Sequence, residues 1–310
     1  MKLLKCSGWL CATLPLSLVL NGAVLPVSAQ ETEVPAAEAN QPQEFPQGML
    51  FPYYMLDRVI SGKVDKDGHV NYVAMQSDKE GRRALSLFIQ AVGSADLSKF
   101  PVLPTKTKVV DKLGRESIVT SDDRAPELVF WINAYNAHVL NAILTAYPIS
   151  SPDDIKDFDT AKTRRIAGKD YSFVELRKKI VALDPRAFFA LTDGTRGGPI
   201  FRNQAYRYTD INESLDQAAQ YYISNPEQVQ LLQLEKKTTV NPLLQQADEL
   251  FSPKGARRKW EGIRKLLATY SVVGSSQRFY INNSDLEIEF ARPNRALNKD
   301  PNASPVAAPQ

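Results

Sequence analysis

Between Pro126 and Ala146 the chain carries one charged residue, Glu127, in a run of otherwise apolar and small polar residues. No other segment limits the fold so strongly. Pro126 suits the first turn of a helix, Asp122 or Asp123 can cap it, and Pro148 stops it. A helix apolar on most of its faces is largely buried. Within it stands Phe130-Trp131-Ile132-Asn133-Ala134-Tyr135-Asn136-Ala137-His138. At 100° per residue, Asn133 and Asn136 project from one side, and Tyr135 and His138 from a neighbouring face. A buried amide left unpaired costs about 1 to 3 kcal/mol. Both asparagines therefore need partners, either as braces for a loop or as the wall of a pocket.

Around this helix the pattern is mostly helical. Leu50 to Ile60 has helical spacing, and Asp65-Lys66-Asp67-Gly68 is a turn between Lys63-Val64 and Val70-Tyr72. That turn fails as a calcium loop, because Lys63 and Ala74 stand where the first acid and the closing Glu are needed. Lys79 to Ala91 reads as an exposed amphipathic helix. Lys106 to Val110 and Glu116 to Thr120 read as a hairpin turning at Lys112-Leu113-Gly114, an addition to the core. Ser172-Phe173-Val174-Glu175 fits a capping box for a helix reaching Leu183. Arg186 to Leu191, short, apolar and bounded by Pro185 and glycines, reads as a buried strand. Helices follow at Ile211 to Ser224, Pro242 to Phe251 and Arg257 to Leu267, and a last strand at Leu286 to Phe290. The expected fold is α+β, a helix-rich single domain around a small mixed or antiparallel sheet.

The chain ends read differently. Lys2 and Lys5 form a positive start, Leu14 to Val27 is an apolar run too short to span a bilayer, and Val27-Ser28-Ala29 is a peptidase-like site. Residues 1–29 are thus expected to be a cleaved export signal, leaving no permanent membrane anchor and a periplasmic or extracellular product. Residues 30–48 and 298–310, rich in Pro, Ala and polar residues, are expected to be a disordered linker and tail around a domain at 49–297. Cys6 and Cys11 both lie in the signal, so the mature chain is expected to have no disulfide, thiol nucleophile or thiolate metal site. Without Lys2 and Lys5 the net charge falls from +3 to +1, and the basic pairs are scattered, which argues against a nucleic-acid partner.

Candidate chemistry lies in two places: the asparagine helix and the loop Thr192-Asp193-Gly194-Thr195-Arg196-Gly197-Gly198-Pro199, followed by Arg202. Glycines let backbone amides face one point, and arginines hold carboxylates or phosphates. The Lys-Ser/Thr that closes a phosphate-binding loop is missing. His69 and His138 are the only histidines, and no Gly-x-Ser-x-Gly elbow or His-Glu-x-x-His zinc motif occurs.

On Phe130 to Ala137, Tyr147-Pro148, Asp184-Pro185-Arg186, Phe189-Ala190-Leu191, Gly198-Pro199 and Ala205-Tyr206, the chain resembles the family catalogued as domain of unknown function 547. The resemblance runs more faintly from Gly68-His69-Val70-Asn71-Tyr72 to Pro293-Asn294-Arg295-Ala296-Leu297. It implies a Glu-His pair after the capping serine, a His before Phe-Ala-Leu and a Cys before the loop proline. Here those places hold Arg177-Lys178, Phe188 and Gly198. Cysteine, histidine and carboxylate together would suit nucleophilic catalysis or metal binding, so this chain is expected to lack that set.

The reading favoured is a non-catalytic exported domain without cofactor or metal. It would bind an anionic or peptide-like ligand in a cleft between the Asn133/Asn136 helix and the 193–199 loop. Asn133, Tyr135, Asn136, Arg186, Asp193, Arg196 and Arg202 are the candidate site residues. The rivals are an envelope hydrolase or transferase using Asp193 with Glu175 or Asp210, and a structural or partner-binding protein.

Overall fold

The computed structural model describes residues 51–110, 116–272, 274–283 and 285–303, with backbone alone at 103–110, 116–123, 275, 278 and 282. The expected signal and linker, the hairpin tip at Lys112 to Gly114, and the end beyond residue 303 lie outside those residues. The described residues belong to one compact unit, Phe45–Gln310.

Three helices open it: α1 (Tyr53–Ile60), α2 (Tyr72–Ser77) and α3 (Lys79–Gly93). Asn71 caps α2 by accepting from the Ala74 amide, and Asp78 caps α3 by accepting from the Gly81 amide. Strands β1 (Leu103–Val110) and β2 (Glu116–Asp123) then pair antiparallel, from Leu103 opposite Asp123 to Val110 opposite Glu116. This hairpin is longer than the sequence suggested. Asp122 and Asp123 end β2, and Arg124 takes the N-cap position of the next helix, with no capping bond from its own side chain. The residue expected at that position is thus corrected: Arg124 stands there.

Helix α4 (Ala125–Ala146) is the axis of the larger hydrophobic cluster. Phe130, Trp131, Ile132, Ala134, Ala137, Val139 and Leu140 have no exposed surface. Each large side chain so buried contributes about 1.5 to 3 kcal/mol relative to exposure. Phe51 and Phe100 pack on the Phe130 ring at 5.1 and 5.0 Å between centroids.

A short hairpin, β3 (Arg164–Ile166) with β4 (Lys169–Tyr171), leads into α5 (Phe173–Leu183). The capping box closes in both directions: the Glu175 amide donates to Ser172 Oγ at 3.2 Å, and the Ser172 amide to Glu175 Oε2 at 2.9 Å. The strand expected over Arg186 to Leu191 is corrected. Pro185–Ala190 is a 3-10 helix, with Asp184 accepting from the Arg186 amide at its start. A short apolar run does not distinguish strand from helix by periodicity. Here a proline after an aspartate starts a helical turn.

After α6 (Ile211–Ser224) come β5 (Val229–Leu232), β6 (Lys237–Val240), α7 (Leu244–Phe251), α8 (Glu261–Tyr270), α9 (Ser275–Asn282) and β7 (Glu287–Phe290). Strands β5 and β6 are antiparallel, and β7 joins β6 in parallel, so this three-stranded sheet is mixed. The fold is α+β and helix-rich, as expected. However, the strands form three small sheets rather than one central one. The mixed sheet packs with α6, α7 and α8 in a second hydrophobic cluster.

The tail expected from Asn298 is corrected. The Asn298 amide donates to the Gly194 carbonyl at 3.0 Å, the Val70 amide to the Asn298 carbonyl at 2.8 Å, and the Asp300 amide to the Val70 carbonyl at 2.9 Å. Asn298 is buried, accepting from the Tyr72 hydroxyl at 2.6 Å. Backbone pairing needs no particular side chains, so a polar composition concealed it.

Candidate functional site

Both helix asparagines are braces. Asn133 Nδ2 donates to the Tyr206 carbonyl at 3.0 Å while Asn133 Oδ1 accepts from the Tyr206 amide at 2.9 Å. Asn136 Nδ2 donates to the Ala190 carbonyl at 2.9 Å, and its Oδ1 accepts from the Thr192 amide at 3.2 Å. Each amide satisfies two loop backbone groups, as a strand neighbour would. They hold the 190–192 and 206 segments against α4, so both amides serve the fold.

The three arginines named from the sequence line no common cavity. Arg186 is clamped by Asp184 at 2.7 Å, Asp216 at 3.1 Å and the Asn212 side chain at 2.7 Å. The Arg202 guanidinium lies 4.5 Å from the Tyr206 ring centroid. Arg196 donates weakly to the Lys299 carbonyl at 3.4 Å and lines a 550 Å³ cavity with Asp67, His69, Tyr221 and Glu227. Among the described cavities none is lined by more than one of these arginines, so they do not gather there as a cationic cleft.

Asp193 leads to a different place. Its Oδ1 accepts from the Thr195 amide at 2.9 Å and the Thr195 hydroxyl at 2.7 Å, and its Oδ2 from Arg295 Nη1 at 2.8 Å. Arg295 also bridges to both oxygens of Asp153, at 3.0 and 2.5 Å. The Asp153 hydrogen bond outweighs burial and raises the Arg295 pKa, while Arg295 holds Asp153 below its usual range. Beside them, Arg177 Nη1 donates to Asp159 Oδ1 and to the Tyr135 hydroxyl, both at 2.9 Å. Burial pushes the Tyr135 hydroxyl up to about 12 against the pull of Arg177, so it stays neutral.

Asp159, Arg177, Asp193 and Arg295 border an 80 Å³ cavity lined also by Val181, Phe188, Leu191 and Pro199. It adjoins a 290 Å³ cavity across Asp193, Leu243, Gln246 and Arg295, to which Asn241 and Asn294 contribute amides. Leu191 belongs to the cluster around α4 and Phe188 to the cluster around the mixed sheet. The cleft thus sits where the two clusters meet.

The positions singled out by the family resemblance gather here. Arg177 and Phe188 line the cleft and Gly198 adjoins it, whereas Lys178 is exposed elsewhere. A Cβ on Gly198 would lie 2.0 Å from Asp193 Oδ1 and 2.7 Å from its Cγ. The Asp193 carboxylate therefore occupies the space that a cysteine at 198 would need. Neither rival carboxylate joins Asp193 at this cleft. Glu175 closes its capping box and pairs with Lys162 at 2.5 Å, and Asp210 is an exposed residue before α6. Asp159, Asp153 and Arg295 were missed by sequence reasoning. Only the faint resemblance at Pro293 to Leu297 pointed near Arg295, because the contact spans 102 positions.

Among the described residues one group has metal-ligating reach: Asp65, Asp67 and His69, with ligand atoms within 4.8 Å of one another. Asp65 Oδ1 already accepts from the amides of Asp67 and His69, its Oδ2 meets His69 Nδ1 at 2.9 Å, and Asp67 accepts from Tyr221. These bonds form a self-closed turn. His138 is buried and its Nε2 has no partner. Burial lowers its pKa to about 4, so the ring is neutral in the folded protein.

No curated protein matches this chain, and no solved structure does. Residues 120–223 match the family model described as protein of unknown function, DUF547. That segment carries α4, α5, the 3-10 turn and the Asp193 loop, and over it the chain is similar to the DUF547 family.

Proposed function

We propose that the protein is an exported, non-catalytic binding protein for a peptide-like ligand, held in the cleft beside Asp193 and Arg295. The carrying observation is the Asp193–Arg295 pair, 2.8 Å apart at the junction of the two cavities. Each member can exchange its partner for a ligand group of opposite sign: Arg295 for a carboxylate, Asp193 for an amine. Asp159 and Arg177 repeat the arrangement, and Gln246 and Asn294 supply amide groups suited to a peptide bond. A wholly anionic ligand would meet Asp159 and Asp193 as well as the two arginines. Binding without reaction follows from Gly198, where Asp193 fills the space beside a position that holds no nucleophile. Export rests on the pattern of residues 1–29.

Calorimetric titration with free dipeptides such as Ala-Ala, against the same peptides acetylated and amidated, tests this reading. Free peptides bind, blocked ones bind at least about tenfold more weakly, and Arg295→Gln removes a similar factor, the scale of one charge-assisted hydrogen bond. Equal affinity for free and blocked peptides, or an unchanged affinity in Arg295→Gln, would sink it.

A further inference from the structure

Several of this molecule's arginines are ion-paired: Arg165 with Asp170, Arg177 with Asp159, Arg186 with Asp184, Arg207 with Asp57, and Arg295 with Asp153. The groove between α3 and α4 gathers basic side chains that are not. Lys79, Arg82 and Arg83 line it, together with Ser86, Asn141 and Thr145, around a volume of 430 Å³. Lys79, Arg82, Arg83 and Ser86 fall at i, i+3, i+4 and i+7, one stripe of α3, so their side chains project over the same strip of surface. Helix α4 packs beside it and presents Asn141 and Thr145, also four apart.

No carboxylate lines this groove. Asp78, next to Lys79 in sequence, is bound by Lys63 at 2.7 Å and Arg58 at 3.4 Å. Lys79, Arg82 and Arg83 have no ion pair among the described residues. Ser86 Oγ and Asn141 Nδ2 are uncommitted donors there, while the Thr145 hydroxyl is turned back to the Asn141 carbonyl at 2.7 Å. Three cations on one helical stripe lie within about one Debye length of each other at physiological salt, so they act on a bound anion together. Arginine's planar donors match phosphate oxygens, and the flanking hydroxyl and amide supply directed bonds that diffuse attraction lacks.

We propose that this groove binds a phosphate ester, with Lys79, Arg82 and Arg83 holding the phosphate oxygens and Ser86 and Asn141 completing their hydrogen bonds. The site is separate from the Asp193 cleft and does not depend on the function proposed for it. The phosphate can come from a soluble ester or from a lipid headgroup, and two experimental arms separate these sources.

In the first arm glycerol 3-phosphate is titrated into the full chain at physiological salt. In the second the protein is sedimented with vesicles of phosphatidylglycerol or of phosphatidylcholine. The expected result is saturable binding in one arm, weakened about tenfold or more by Arg82→Ala with Arg83→Ala. Lys169→Ala with Lys178→Ala, which removes the same charge from exposed positions elsewhere, leaves binding unchanged. Asn141→Ala, which alters no charge, weakens it about two- to fivefold. Binding of glycerol 3-phosphate identifies a soluble ester; binding to phosphatidylglycerol vesicles alone identifies a headgroup. Binding in neither arm, equal loss in the two double variants, or an unaltered affinity in Asn141→Ala would each overturn the proposal. All five side chains are exposed, so these variants fold, which circular dichroism verifies.

Discussion

Helix α4 carries asparagines at 133 and 136 in its buried part and at 141 near its exposed end. The first two are committed to loop backbone through both amide atoms, whereas Asn141 lines the basic groove with its amide free. One residue type on one helix is therefore structural in the interior and available at the surface. The difference lies in water. A buried amide is held because losing its partner is expensive, and an exposed one exchanges partners freely.

Asn133→Ala tests the comparison most severely. It leaves the Tyr206 amide without a partner in the interior and the Tyr206 carbonyl with only the longer bond from Arg207 Nη1 at 3.3 Å, and urea unfolding should show a loss of about 2 to 4 kcal/mol. A loss under about 0.5 kcal/mol, the ordinary scale for surface substitutions, would break the contrast.

His138 is the next member of the buried set. Its folded-state pKa is about 4, against about 6.5 unfolded. Between those values the unfolded chain binds more protons, so stability is full above pH about 6.5 and falls as pH drops toward 4, by on the order of 3 kcal/mol in total. Urea midpoints at pH 4.5 and 7 measure this, and His138→Gln should flatten the difference. An unchanged slope in that variant would assign the pH dependence to other groups.

Gly198→Cys restores the residue that the family resemblance implies, and it sharpens the contrast at the cleft. With Asp193 in place, the new Cβ collides with the carboxylate and should cost about 1 to 3 kcal/mol. Combined with Asp193→Ala, which loses the Thr195 and Arg295 bonds but frees the space, the total should fall below the sum of the two single losses. Strict additivity would show that Asp193 and position 198 do not compete. The smallest effect belongs to Asn141→Ala, which should alter stability by less than about 0.5 kcal/mol.

Much of the fold was legible because local chemistry dictated it. Helix α5 starts where Ser172 and Glu175 reciprocate, α6 runs from Ile211 to Ser224 as its spacing indicated, and α4 is as buried as its composition required. The errors share a cause. Asp122 and Asp123 could cap a helix or extend a hairpin, and strand pairing with Pro104 and Leu103 took them. Arg186 to Leu191 had the apolarity of a strand, but among the described residues no strand pairs with it, and Asp184-Pro185 starts a 3-10 turn. Asn298 looked like tail, yet its backbone pairs with residues 70 and 194.

The candidate site followed the same division. Asp193 was legible as a candidate position because it stands in a glycine-rich loop, and Arg177, Phe188 and Gly198 were legible as departures from a family pattern. The sequence by itself determined the helical character, the buried central helix, the need for Asn133 and Asn136 to find partners, and the scarcity of histidine. All of these depend on residues within a few turns of one another. Only the tertiary structure decided which partners the asparagines took, that Arg186 was locked to Asp184 and Asp216, and that Arg295 came to Asp193. It also decided that Lys79, Arg82 and Arg83 would face a groove without a carboxylate. Those outcomes turn on distances between residues far apart in the chain. Charge and burial act through space, and the order of residues does not record that distance until the chain has folded.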